Sequence, residues 1–126
     1  MRGVDLEAFV GWLDRYFGAW ASNDPAEVAA LFAEDAVYSY GPFREPTHGR
    51  DAIVDAWVGG GAPPELRWSH DPIATVGERG VAHWRVSFAD EAGGMVDLDG
   101  ILVCDFDADG ACTLHREWYD RREPSA

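Results

Sequence analysis

The chain predicts an α+β fold, three helices followed by a run of long strands, and three observations predict it. Apolar residues recur at helical spacing over the first twenty positions. Two later helix starts are marked, one by aspartate followed by proline and one by glycine. From residue 66 onward the pattern alternates like strands and is cut by glycine-bearing turns.

Leu6, Phe9, Val10, Leu13, Tyr16, Phe17 and Trp20 form one stripe, and Asp5 stands where a side-chain oxygen caps the first free amides of a helix. Asn23-Asp24-Pro25 ends that helix. Asp24 as cap, Pro25 in the first turn and Glu27 as the third-position acid start a second, short helix carrying Val28, Leu31 and Phe32. Ala36 to Tyr40 then turn β-branched and aromatic, and Gly41-Pro42 and Glu45-Pro46 force a loop. Gly49 opens a third helix with Ile53, Val54 and Trp57, closed by Gly59-Gly60-Gly61 and Pro63-Pro64.

Four strands follow, Leu66 to Val76, Val81 to Ala89, Met95 to Asp107 and Cys112 to Arg121, with turns at Gly77-Arg79, Glu91-Gly94 and Asp107-Gly110. An antiparallel sheet with one face against helices alternates inward and outward residues. In the third of these strands Leu98, Gly100, Leu102, Cys104 and Phe106 are expected to face in. Asp97, Asp99, Ile101, Val103, Asp105 and Asp107 then face out, and this mixture of acids with aliphatic residues suits a homodimer contact through the outer sheet face.

At 126 residues the chain fits a single domain, 1–126, with no repeat or linker. An apolar fraction of 47% with six tryptophans indicates an aromatic-rich interior. Ten basic against 23 acidic residues give a net charge of -13, a field that repels phosphate backbones and anionic lipid and so argues against nucleic acid and membrane partners. Met1 to Val10 contain no long apolar run, so a cytoplasmic protein is expected. Cys104 and Cys112 are expected to be reduced core residues on adjacent strands. No cysteine and histidine cluster has zinc spacing, and Asp97, Asp99, Asp105, Asp107 and Asp109 alternate along a strand unlike a calcium loop, so no metal or other cofactor is expected.

Phe32 to Val58 reads Phe-Ala-Glu-Asp-Ala-Val-Tyr-Ser-Tyr, then Gly-Pro-Phe-Arg-Glu-Pro-Thr-His-Gly-Arg, then Asp-Ala-Ile-Val-Asp-Ala-Trp-Val. This run resembles the opening half of a SnoaL-like domain in the nuclear transport factor 2 superfamily. The resemblance implies a cone-shaped, curved antiparallel sheet wrapped by three N-terminal helices, a cystatin-like roll around one pocket. That fold hosts enzymes and non-enzymes alike. Within the superfamily the pattern is most similar to bacterial ketosteroid isomerases, in which an arginine-tyrosine pair supplies an oxyanion donor. Arg15-Tyr16 matches that pair, and the match continues through Leu31-Phe32-Ala33, Asp35-Ala36, Glu45-Pro46, Gly49 and Ala52-Ile53 to Trp57. The isomerases' general-base aspartate falls on Tyr40, however, and their second donor, a protonated aspartic acid, falls on Leu102. The resemblance therefore carries over the pocket and Tyr16 but not the isomerase mechanism.

The same register turns His115, Glu117 and Tyr119 toward the cavity, and strand alternation agrees, with Leu114, Arg116, Trp118 and Asp120 on the other face. Related SnoaL-type cyclases use an aspartate and a histidine, and scytalone dehydratase uses tyrosines with a histidine and an aspartate. By that likeness His115 is expected to act as base, Glu117 as its orienting partner and Tyr16 as oxyanion donor. Tyr40 or Tyr119 would position the substrate, with Trp20, Phe32, Trp57, Trp84 and Leu102 as cavity wall. The competing reading makes His115 and Glu117 a surface pair or a link to Arg44, and Tyr16 a core tyrosine bonded to Tyr40 or Tyr119. Tyr38 and Trp68 read as core aromatics, His48 as a solvated loop residue, and His70 and His83 as either face. The expected function is a cofactor-independent isomerase, cyclase or dehydratase acting on a small apolar or aromatic carbonyl or hydroxy compound. The alternative is a non-catalytic ligand-binding or protein-interaction domain.

Overall fold

A computed structural model describes residues 4–124, so positions 1–3 and 125–126 of the expected domain lie outside the described residues. Asp5 accepts the Ala8 amide and starts α1 (Leu6–Ser22), and Asp24 accepts the Ala26 amide and starts α2 (Pro25–Ala29). The buried stripe of α1 begins one turn later than expected, because Leu6 is half exposed. Trp12, absent from the expected stripe, is buried: it lies three residues after Phe9 and four before Tyr16, on the same face. Its indole N–H donates to the Leu31 carbonyl at 3.1 Å.

Leu31 and Phe32 do not belong to the second helix. The Leu31 carbonyl also accepts the Cys112 amide, so pairing with the last strand takes the backbone away from helix and begins β1 (Phe32–Ser39). A short β2 (Thr47–His48) pairs antiparallel with β1 before α3 (Arg50–Gly60) buries Ile53. Then β3 (Arg67–Val76), β4 (Arg79–Ala89), β5 (Met95–Phe106) and β6 (Cys112–Arg122) form the expected antiparallel meander. The sheet is larger than those four strands: β1 joins β6 in parallel, giving a mixed six-stranded open sheet in the order β2-β1-β6-β5-β4-β3. In β5 the five expected inward residues are all buried. No described helix is long and apolar enough to cross a membrane.

Two glycines let the layers approach. A Cβ on Gly80 would stand 2.6 to 2.7 Å from the Phe9 ring, which seats α1 on β4. A Cβ on Gly100 would collide with the Trp118 carbonyl and stand 2.6 Å from the Tyr119 Cβ, so glycine is what lets β6 lie this close to β5. The outer face is more ordered than a solvated acidic surface. Asp105 pairs with Arg79 at 2.7 Å, Asp99 with His83 at 2.6 Å and Arg85 at 2.9 Å, and Asp97 with Arg122 at 2.7 Å. Such exposed pairs contribute little stability each. Asp107 instead accepts the Asp109 and Ala111 amides in the last turn.

Gly100→Ala should destabilise the fold by roughly 1–3 kcal/mol, since backbone rather than a flexible side chain must yield. Gly11→Ala, on the exposed face of α1 with open space around it, should stabilise by roughly 0.5–1 kcal/mol. Urea unfolding of both variants checks this, and a Gly100→Ala variant as stable as the parent would refute the close approach at that position.

Candidate active site

Parallel pairing of β1 with β6 sets Tyr38 directly beside His115, and α1 crosses above to add Tyr16. The His115 ring packs against both, its centre 4.1 Å from the Tyr38 ring and 5.2 Å from the Tyr16 ring, with both nearly parallel to it. Two residues on, alternation returns Glu117 to the same face. One hydrogen-bonded chain results. The Tyr16 and Tyr38 hydroxyls are 2.5 Å apart, Tyr38 donates to Glu117 Oε1 at 2.6 Å, and His115 Nε2 lies 2.9 Å from the same oxygen. His115 is fully buried and Glu117 is 6% exposed.

Counting hydrogens fixes the direction of this chain. Each hydroxyl has one. Tyr38 gives its hydrogen to Glu117, so Tyr16 must give its own to Tyr38. Burial first, then the Glu117 charge, pushes both phenols well above their ordinary range, and they remain neutral donors. Burial works against a charged His115, but the neighbouring Cys112 and the hydrogen bond and charge of Glu117 outweigh it and hold the imidazole up to about 9. At neutral pH both ring nitrogens therefore carry hydrogen, Nε2 toward Glu117 and Nδ1 toward Cys104 Sγ at 3.2 Å. Burial raises the Cys104 thiol well above its usual range; at Cys112 burial is overcome by Cys104 and His115, which draw the thiol down to about 6.

The fold brings together a cysteine and histidine cluster that spacing alone did not suggest. Cys104, Cys112 and His115 place ligand-type atoms within 4.8 Å of one another, and both thiols are free and buried. The trio is a hydrogen-bonded support for Glu117.

These bonds all fall on Glu117 Oε1, and Glu117 lines a cavity of about 710 Å³. Its Oε2 has no protein partner among the described residues and is the oxygen left to face that space. Tyr16, Trp20, Tyr40, Trp57 and Tyr119 line the cavity. Four expectations need correction. His115 does not line it; it stands behind Glu117 and the two tyrosines, so the carboxylate and not the imidazole borders the cavity. Phe32, Trp84 and Leu102 also lie outside the lining. The cavity occupies the end of the sheet near Phe88, Leu98 and Arg121, whereas α1 fills the other end. Phe32 backs Tyr38 and Trp57, Trp84 backs Trp20 and Tyr119, and Leu102 pairs across the sheet with Glu117. The acid missing at position 102 thus reappears one strand away.

Tyr38 is the site residue that sequence reasoning left in the core; its parallel register with His115 is the signal, and strand pairing supplies it. Arg44 does not pair with Glu117 but lies over the Tyr40 ring at 5.3 Å. Neither Tyr40 nor Tyr119 bonds Tyr16. His48 is exposed on β2, His70 reaches Asp14 at 2.7 Å, and His83 stands on the outer face.

The folded His115 value exceeds the ordinary 6.5, so its pairing with Glu117 favours the fold fully below about 6.5 and that contribution is lost as pH rises through about 9. NMR titration of the buried imidazole should give a midpoint above 8 in the native chain and a lower one in Glu117→Gln, by roughly a unit or more. A native midpoint at or below 6.5 would break the assignment of charge.

A sequence model described as the SnoaL-like domain matches residues 13–115. No curated protein matches the chain. Among solved structures, one described as the epoxide hydrolase/cyclase-like enzyme SalBIII, with a role in pyran ring formation in polyether salinomycin, is similar with a TM-score of 0.75 at 15% identity. That likeness covers 92% of this chain and 93% of the other, and at this identity it speaks for the fold. With more than three quarters of its length matched by the domain, including α1 from Leu13 and the sheet as far as His115, the chain belongs to the SnoaL-like family of the nuclear transport factor 2 superfamily.

Proposed function

We propose that this protein is a cofactor-independent proton-transfer enzyme of the cyclase, isomerase or dehydratase type, acting on a small, largely apolar hydroxy or carbonyl compound. The observation that carries the reading is the split of Glu117: Oε1 is saturated by Tyr38 and His115, while Oε2 faces the cavity. A carboxylate so held is a general base whose orientation does not have to be found during reaction. His115 is a positioning residue that supplies a fixed positive charge behind it. Tyr16 and Tyr38 have committed their hydrogens along the chain, which leaves the Tyr40 and Tyr119 hydroxyls, both lining the cavity, as donors for a developing oxyanion.

Likeness to a cyclase-like enzyme favours ring closure among these reactions. In that case the substrate hydroxyl gives its proton to Oε2 as its oxygen bonds to an epoxide carbon. The epoxide C–O bond breaks, and the resulting alkoxide takes a proton back. The apolar wall of Trp20, Trp57, Phe88 and Leu98 suits such a substrate and keeps bulk water from competing.

Glu117→Gln should lower turnover of a phenyl-bearing hydroxy-epoxide that closes to a tetrahydropyran by about 10²–10⁴-fold, while circular dichroism shows an intact fold. His115→Gln should shift the pH profile of the remaining activity. If the native protein does not accelerate this probe, a β-hydroxy ketone dehydration or an enone isomerisation, the non-catalytic reading replaces this one.

We also infer a homodimer through the outer sheet face. Ile73, Val76 and Trp118 are exposed there beside Ile101 and Val103. Arg79, Arg85, Arg116 and His83 share that face and offset its aspartates, so two copies meet there without the repulsion of the chain's overall charge. Light scattering should give twice the 13.9 kDa chain mass, falling to one chain in Trp118→Asp. A monomer in the native protein would overturn this.

A further inference from the structure

The cavity has two chemically different ends. Because β1 and β6 run parallel, the residues following β1 and the last residues of β6 lie at the same end of the sheet. Arg44 and Arg121 are both exposed there and both line the cavity, so they mark its mouth. From the inner end a ladder of rings leads outward. The Tyr38 ring, whose hydroxyl is bonded to Glu117, lies 4.4 Å from the Tyr40 ring, and the Arg44 guanidinium lies 5.3 Å from the latter. Stacking on Tyr40 holds the planar guanidinium in place with its edge donors available.

The other charges at the mouth are already engaged or stand apart. Arg121 pairs with Glu123 and lies over Phe88. Asp90 accepts the Ala92 and Gly94 amides in the β4–β5 turn, beside exposed Glu91. In the strand order β6 and β5 stand between β1 and that turn, which puts these acids across the mouth from Arg44. Arg44 itself forms no ion pair among the described residues. In a chain of net charge -13 an anion is repelled at long range, and only a local, oriented donor holds one.

We propose that Arg44 anchors a carboxylate at the distal end of the substrate. The substrate class thereby narrows to apolar hydroxy or carbonyl acids, bound with the neutral reacting oxygen at Glu117 and the acid group at the mouth. This rests on the reading of the Glu117 cavity as the substrate site. A guanidinium fork matches a carboxylate in two parallel hydrogen bonds, and the apolar wall between the two ends accommodates the hydrocarbon part. Arg44 acts in orientation: tethering one end turns the other toward Oε2.

The experiment uses the full chain and follows tryptophan fluorescence, since Trp20 and Trp57 line the cavity. The probes are 5-phenylpentanoic acid and its methyl ester, titrated at low and at high sodium chloride. The acid should bind about tenfold more tightly than the ester at low salt, with the advantage shrinking as salt screens the exposed charge. In Arg44→Gln the advantage should vanish while ester affinity is unchanged, and in Arg121→Gln it should persist. Equal binding of acid and ester by the native chain, or an advantage that survives Arg44→Gln, overturns the proposal while leaving the cavity reading in place. Binding of neither probe to the native chain overturns both.

Discussion

The interaction on which the site depends is the pair of hydrogen bonds that Glu117 Oε1 accepts from Tyr38 and His115. A carboxylate in an aromatic interior is costly unless it is paired and hydrogen-bonded, and so is an imidazolium. Each is the other's compensation here, and neither is tolerable alone. Removing one partner of such a pair typically costs about 3–5 kcal/mol because the remaining charge is stranded. The requirement reaches outward: His115 needs an acceptor behind it, which Cys104 supplies, and flat aromatic neighbours, which Tyr16 and Tyr38 supply.

Those partners come from three separate elements, so the chain of bonds also constrains the fold. Parallel pairing of β1 with β6 brings residues 38 and 115 together across most of the sequence, and the seat of α1 on Gly80 fixes the height of Tyr16 above them. Gly100 admits the close approach of β6, whose Tyr119 and Arg121 line the same cavity as Glu117. One end of the sheet is then filled by Phe9, Trp12 and Phe17, and the other is left open as a cavity. The asymmetry of packing is what makes a site rather than a uniform core.

Much of this was legible from local pattern. Caps at Asp5 and Asp24, the helical stripe to Trp20 and the alternation of β5 each involve residues a few positions apart, where backbone geometry dictates the outcome. Strand alternation correctly grouped His115, Glu117 and Tyr119, and placed Leu102 on the inner face. It did not reveal that the cavity stops short of Leu102, because alternation assigns a face and not a position along it. Nor did it extract Tyr38 from the aromatic background, since its partner lies 79 residues away.

By itself the sequence determined the α+β order, the family, the inner and outer faces of the sheet and the presence of a carboxylate and a histidine on the inner one. Tertiary structure decided which of the two borders the cavity. His115 and Glu117 occupy equivalent places in the strand pattern, yet α1 and the cysteines close over the first while the open end of the sheet exposes the second. Faces follow from the two-residue period of a strand, but access follows from what other elements pack on that face.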